Sequence, residues 1–104
     1  MRRRPKQDKN AGELIEAMRA LGWYWLDLSA VGGGVPDGIA IRGGRMVFCE
    51  IKDPKVGRLT PAQEDLHAVL KSKAVTVEIL TCVEDLQVLG RGSSGRYDER
   101  GETR

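Results

Sequence analysis

The feature that most constrains this chain is Gly43-Gly44, a glycine pair set between two apolar-rich runs at 37–42 and 45–52. Glycine reaches positive φ without a Cβ penalty, and the two-residue hairpin turns that match strand twist need such angles. The runs therefore read as the strands of a β-hairpin. A two-residue loop fixes the register: Arg42 faces Arg45, Ile41 Met46, Ala40 Val47, Ile39 Phe48 and Gly38 Cys49, which sets Asp37 across from Glu50. Side chains alternate along a strand, so Glu50 and Lys52 share a face with Asp37, while Ile51 points away but can still offer its main-chain carbonyl. A three-residue loop would shift the parity and send the two carboxylates to opposite faces.

The elements around the hairpin follow from local signals. Asn10 is a candidate N-cap with Glu13 at the third helical position, and Leu14, Ile15, Met18 and Leu21 recur at helical spacing up to Gly22. Trp23 to Leu28 suits a strand and ends before Gly32-Gly33-Gly34. After a loop over 53–59, Thr60-Pro61-Ala62-Gln63 supplies an N-cap, a first-turn proline and the Gln of a capping box, predicting a helix to about Lys73. Residues 74–80 alternate with β-branched side chains, and Thr81-Cys82-Val83-Glu84 predicts a second capping box and a short helix to Leu89. The order is αβββαβα. A strand, a helix and a further strand predict a crossover, with the last strand parallel in the hairpin's sheet. The expected class is α/β, a mixed β-sheet flanked by helices.

One domain over 10–89 fits a chain of 104 residues. Residues 1–9, with Arg2, Arg3, Arg4, Lys6 and Lys9, read as a basic flexible arm, and 90–104, rich in Gly, Ser and charge, as a flexible tail. No apolar run approaches the ~20 residues of a membrane span, and the basic start lacks the apolar segment of a secretory signal. Cys49 and Cys82 fit neither a disulfide framework nor a Cys-x-x-Cys metal site. The expected location is the cytoplasm. A net charge of +2 and a pI near 8.7 permit nucleic-acid binding without demanding it.

Two carboxylates placed directly opposite one another repel unless something neutralises them, and a divalent cation is the obvious neutraliser. Two carboxylates and a carbonyl suit a hard, oxygen-seeking ion, Mg²⁺ with Mn²⁺ as substitute, better than zinc. Such an ion polarises a phosphodiester and activates water, and Lys52 is placed to orient the nucleophile or stabilise developing negative charge. On these residues alone, a salt-bridged cluster of Asp37, Glu50 and Lys52 is an equally open reading.

Taken together, Val35-Pro36-Asp37, Cys49-Glu50-Ile51-Lys52 and Leu59-Thr60-Pro61-Ala62-Gln63 resemble the virus-type replication-repair nuclease (VRR-NUC) family and its phage-encoded relatives, within the PD-(D/E)xK superfamily. Asp8-x-Asn10-x-x-Glu13 ahead of Gly22 is similar to the opening helix of those relatives, and the resemblance spans residues 8–89. It implies a restriction-endonuclease-like core and a Mg²⁺-dependent DNA endonuclease acting on branched or junction DNA. It further implies that Asp37 and Glu50 are metal ligands, that Ile51 contributes its carbonyl, that Lys52 is the catalytic lysine, that Gln63 supports the site, and that Glu13 reaches the metal through water. Glu13 and Gln63 each have a helix-capping alternative.

Lys55 and Arg58, in the loop after Lys52, are candidate phosphate contacts, and His67, one turn beyond Gln63, is a candidate phosphate contact or proton-transfer group, with a solvated helix histidine the favoured reading. Trp23, Tyr24 and Trp25 suit core or interface packing better than base stacking. One chain of this size carries one site, so cutting both strands or resolving a junction calls for a homodimer. A DNA-binding or packaging accessory that keeps the fold without turnover is the rival from another class.

Overall fold

The computed structural model describes residues 10–55 and 57–90. The elements are α1 (Ala11–Ala20), β1 (Tyr24–Asp27), β2 (Gly38–Arg42), β3 (Arg45–Ile51), α2 (Pro61–Ser72), β4 (Val77–Leu80), a 3-10 turn (Val83–Leu86) and α3 (Gln87–Gly90). The four strands form one sheet in the order β1-β2-β3-β4, the first three antiparallel and β4 parallel to β3. The chain is thus a small α/β domain with a mixed sheet and three helices, in the element order expected. Gly90, expected to open a tail, instead closes α3; the arm over 1–9 and the rest of the tail lie outside the described residues. Among the described residues no helix is long and apolar enough to cross a membrane.

Gly43 and Gly44 take φ of 57° and 83°, and β2 pairs with β3 from Arg42–Arg45 to Gly38–Cys49 in the register the two-residue loop requires. The parity this imposes divides the sheet into two unlike faces. On one, Trp25, Ala40, Val47, Cys49, Ile51 and Leu80 join Trp23, Leu14, Met18, Leu86 and Leu89 in the buried core under α1 and the C-terminal turns. On the other, Ile39, Phe48 and Glu50 face α2, a helix with no fully buried residue. Tyr24 and Met46, 64% and 66% exposed on that second face, lie where nothing described covers them. The two tryptophans are core residues, as expected of their strand context.

Three local expectations change. Asn10 does not cap α1: its backbone (φ −84°, ψ 1°) lacks the extended geometry of an N-cap, and its side chain makes no cap bond. Its amide Nδ2 instead donates to the Lys52 carbonyl at 3.1 Å and the Thr81 carbonyl at 2.8 Å, tying α1 to the ends of β3 and β4. Leu21 does not extend the apolar stripe of α1, being its C-cap and 53% exposed. Asp85, in place of Glu84, closes the box after β4: its Oδ2 accepts from Thr81 N–H at 2.7 Å, Thr81 Oγ1 at 2.9 Å and Cys82 N–H at 3.3 Å. The reason is that helical geometry starts one residue later, with Cys82 as the flanking residue and Asp85 third in the turn.

The hairpin tip is anchored to both helical ends of the chain. Arg42 Nη1 donates to the Leu21 carbonyl at 2.7 Å with its guanidinium 4.4 Å from the Trp23 ring centre, and Arg45 Nε donates to the Leu89 carbonyl at 3.2 Å. Cations placed at helix C-termini satisfy carbonyls that have no partner within the helix. At the end of α2, Ala74 N–H bonds to Lys71 O and Val75 N–H to Leu70 O, the paired bonds of a Schellman close, with Ala74 at φ 67°. That left-handed position favours glycine over any residue with a Cβ.

Ala74→Gly should therefore stabilise the fold by about 1 kcal/mol, seen in thermal unfolding as a rise of roughly 4–8 °C. The bonds to Thr81 N–H above all hold the Asp85 carboxyl below its ordinary 3.8. A depressed carboxylate contributes stability above the unfolded-state pKa and loses it as pH falls through the folded value. Asp85→Asn should be less stable than wild type at pH 7, and denaturant titrations should show the gap closing as pH drops below about 4.

Candidate functional site

Glu50 is the penultimate residue of β3 and points to the α2 side of the sheet, since Cys49 and Ile51 on either side of it belong to the core under α1. It is 0% exposed. A carboxylate withdrawn from water needs donors, and α2 supplies them. Gln63 Nε2 donates to Glu50 Oε2 at 2.9 Å, and His67 Nε2 lies 3.1 Å from Oε1. Gln63 and His67 are four residues apart, so one face of α2 presents both.

Gln63 serves two structures at once. Its Oε1 accepts from Thr60 N–H at 2.8 Å while Thr60 Oγ1 accepts from Gln63 N–H at 3.1 Å, completing the capping box, and its Nε2 is left to reach Glu50. Capping and support of the site are therefore compatible roles, divided between the two ends of one amide. The cap also fixes which way that amide faces: only the oxygen can accept from Thr60.

Asp37 stands at the foot of β2, just outside the strand. The ladder stops at Gly38–Cys49, so Asp37 and Glu50 do not form a further rung. The Asp37 carboxylate instead turns along β3, and its Oδ2 accepts from Ile51 N–H at 2.7 Å while its carbonyl accepts from Leu28 N–H at 2.8 Å. This corrects the argument that the two carboxylates, left facing each other, require a cation: each has donors of its own. Asp37 nevertheless remains beside the Glu50–Ile51–Lys52 segment. Lys52, half-buried, continues β3 by donating its N–H to Leu80 O at 3.0 Å, and its carbonyl is taken by Asn10.

The loop that delivers Asp37 is pressed against the helix that holds Glu50. Gly34 sits at φ +86°, and a Cβ there would lie 2.3 Å from the Ala62 carbonyl in the first turn of α2. Only glycine allows that approach. The three segments 34–37, 50–52 and 60–67 thus meet at one end of the sheet, which carries the Asp37 and Glu50 carboxylates, the Ile51 carbonyl and Lys52. Oxygen donors of this kind fit Mg²⁺ or Mn²⁺. Pro36, buried just ahead of Asp37, has no N–H to donate to a neighbouring carbonyl.

Burial first, and the charge of Lys52 second, hold the His67 imidazole below its ordinary 6.5. Its Nε2 nonetheless lies at hydrogen-bond and ion-pair distance from the Glu50 carboxylate. The ring is turned inward, its side chain 15% exposed, which corrects the expectation of a solvated helix histidine. Lys55 and Arg58 are exposed in the loop after Lys52, as phosphate contacts must be. Glu13 is exposed in the first turn of α1 and, among the described residues, bonds to neither the site nor its own helix cap. Burial also pushes the Cys49 thiol up to about 12, with the nearby Glu78 and Asp37 charges adding to it.

Sequence reasoning missed the bond from His67 to Glu50 and the bridge made by Asn10. The four-residue spacing of Gln63 and His67 pointed to a shared face but not to what the face covers. Nothing in the sequence around Asn10 distinguishes a helix cap from a strand tether.

Two outcomes follow from this geometry. Gln63→Glu keeps an acceptor for Thr60 N–H but removes the donor to Glu50 and adds a second carboxylate against it. Unfolding at pH 7 should show a loss of about 1–3 kcal/mol, narrowing as pH falls towards about 4. In native protein a thiol-specific reagent should label exposed Cys82 and spare buried Cys49, which should react only after denaturation. Set against protein-family models, curated proteins and solved structures, the chain finds no match in any of the three.

Proposed function

We propose that this chain is a Mg²⁺-dependent DNA endonuclease with the restriction-endonuclease-like core of the PD-(D/E)xK superfamily, similar to the VRR-NUC family. The observation that carries the reading is the fully buried Glu50 carboxylate, held by Gln63 and His67 at the end of β3, with Lys52 two residues on and Asp37 on the neighbouring segment. A carboxylate that gains little for stability by burial, yet is oriented through both oxygens, suits a ligand better than a surface ion pair. The motifs Val35-Pro36-Asp37, Glu50-Ile51-Lys52 and Thr60-Pro61-Ala62-Gln63 support it independently.

In this reading Asp37, Glu50 and the Ile51 carbonyl hold the cation. When bound, Mg²⁺ polarises the scissile phosphodiester and lowers the pKa of water. Lys52 places positive charge beside the oxygen on which negative charge develops, or orients the attacking water. Gln63 keeps Glu50 in its ligating orientation, and Lys55 and Arg58 bind backbone phosphates near the cut. Branched or junction DNA is the proposed substrate. Because one chain carries one such site, paired incisions need a homodimer, and the exposed second face around Tyr24 and Met46 offers apolar surface for it.

Branched, nicked, single-stranded and duplex DNA, each incubated with the protein and Mg²⁺ or Mn²⁺, test the reading. Glu50→Gln, Asp37→Asn and Lys52→Met should each lower cleavage by roughly 10²–10³-fold or more while leaving the fold intact by circular dichroism. Cleavage of none of these substrates in any divalent metal would end it. Full activity in Glu50→Gln would do the same, pointing to a contaminating nuclease.

A further inference from the structure

We propose that His67 is a positioning residue for Glu50: through an Nε2–H bond to Oε1 it fixes, together with Gln63 on Oε2, the orientation in which the carboxylate meets a divalent cation. The inference rests on the nuclease reading of Glu50, and it assigns to His67 a role different from contact with DNA.

Glu50 is 0% exposed, and Gln63 Nε2 satisfies Oε2 at 2.9 Å. The capping bond from Thr60 N–H to Gln63 Oε1 sets that amide, so Gln63 cannot turn its oxygen towards the carboxylate. His67 Nε2 is 3.1 Å from Oε1, and since a carboxylate oxygen only accepts, the proton of this bond is on Nε2. With Nε2 committed to Glu50 and its side chain 15% exposed, the ring is turned towards the sheet, away from a phosphate contact. What remains is control of Glu50. Groups that orient a ligating carboxylate shift metal affinity or activity by roughly 10–100-fold when lost.

His67 is the only histidine in the chain, so its ring resonances are identified without assignment. Long-range proton–nitrogen NMR of the full chain at pH 7.5 should show a proton on Nε2; a ring protonated on Nδ1 alone overturns the proposal. The second measurement is DNA cleavage as a function of Mg²⁺. His67→Phe, which keeps a ring of similar size and removes the donor, should raise the half-saturating Mg²⁺ concentration or lower kcat by roughly 10–100-fold, with KM for DNA unchanged. His67→Gln, which can donate from its amide to the same oxygen, should recover most of that loss.

An effect confined to KM for DNA would mean a substrate contact and overturn the positioning role. So would wild-type kcat and Mg²⁺ dependence in His67→Phe, while leaving the nuclease reading in place. Absence of cleavage by the wild type in every metal ends the nuclease reading itself, and this inference with it. Should His67→Phe fail to fold, the ring spectrum of the wild type and the kinetics of His67→Gln still decide the matter.

Discussion

Everything at the candidate site depends on keeping one carboxylate out of water. Glu50 sits near the end of an inner strand, where its neighbours on β3 are Cys49 and Ile51, both core residues. An apolar residue at position 50 would be easier to bury, because an ion loses several kcal/mol of hydration that its partners only partly return. The fold accommodates the carboxylate by dedicating a helix face to it. α2 has no fully buried side chain and little apolar cover to offer, and its most specific contacts with the sheet are the bonds of Gln63 and His67 to Glu50. The helix is positioned by polar contacts more than by a greasy stripe.

The two faces of the sheet consequently divide the labour. The face under α1 holds the tryptophans, Ala40, Val47, Ile51 and Leu80 of the strands and both C-terminal leucines, and it carries the stability of the domain. Asn10, Arg42 and Arg45 fasten α1 and the C-terminal turns to the two ends of the sheet through main-chain carbonyls. The opposite face is free to be polar because the first is not. Gly34, pressed on the Ala62 carbonyl, then lets the loop bearing Asp37 come close enough to complete the constellation.

Much of this was legible in the sequence, for identifiable reasons. Turn chemistry at Gly43-Gly44 determines a register, and a register determines which side chains share a face, so the environment of β2 and β3 could be worked out residue by residue. The capping box at Thr60 and Gln63 was equally local and equally readable. What could not be read were contacts with more than one geometrically adequate solution. Asn10 has the chemistry of a cap, but the carbonyls of Lys52 and Thr81 compete for it across a large sequence separation. His67 has the chemistry of a phosphate contact, and only the packing of α2 on β3 shows its nitrogen already committed. Asp37 was placed on the correct segment, yet its carboxylate found the Ile51 N–H because β2 ends at Gly38 and leaves that donor to a side chain.

The bonds that assemble the site span short stretches of chain. Asp37 to Ile51, Glu50 to Gln63 and Glu50 to His67 are separated by 14, 13 and 17 residues, whereas the Asn10 tethers span 42 and 71. Loop closure over the shorter distances is entropically cheaper, and low contact order favours early formation. The segment from Gly34 to His67 thus holds its own contacts at short range, whereas the Lys52 carbonyl is tied to the first helix through Asn10. The geometry around the lysine therefore depends on how firmly that helix is held against the sheet.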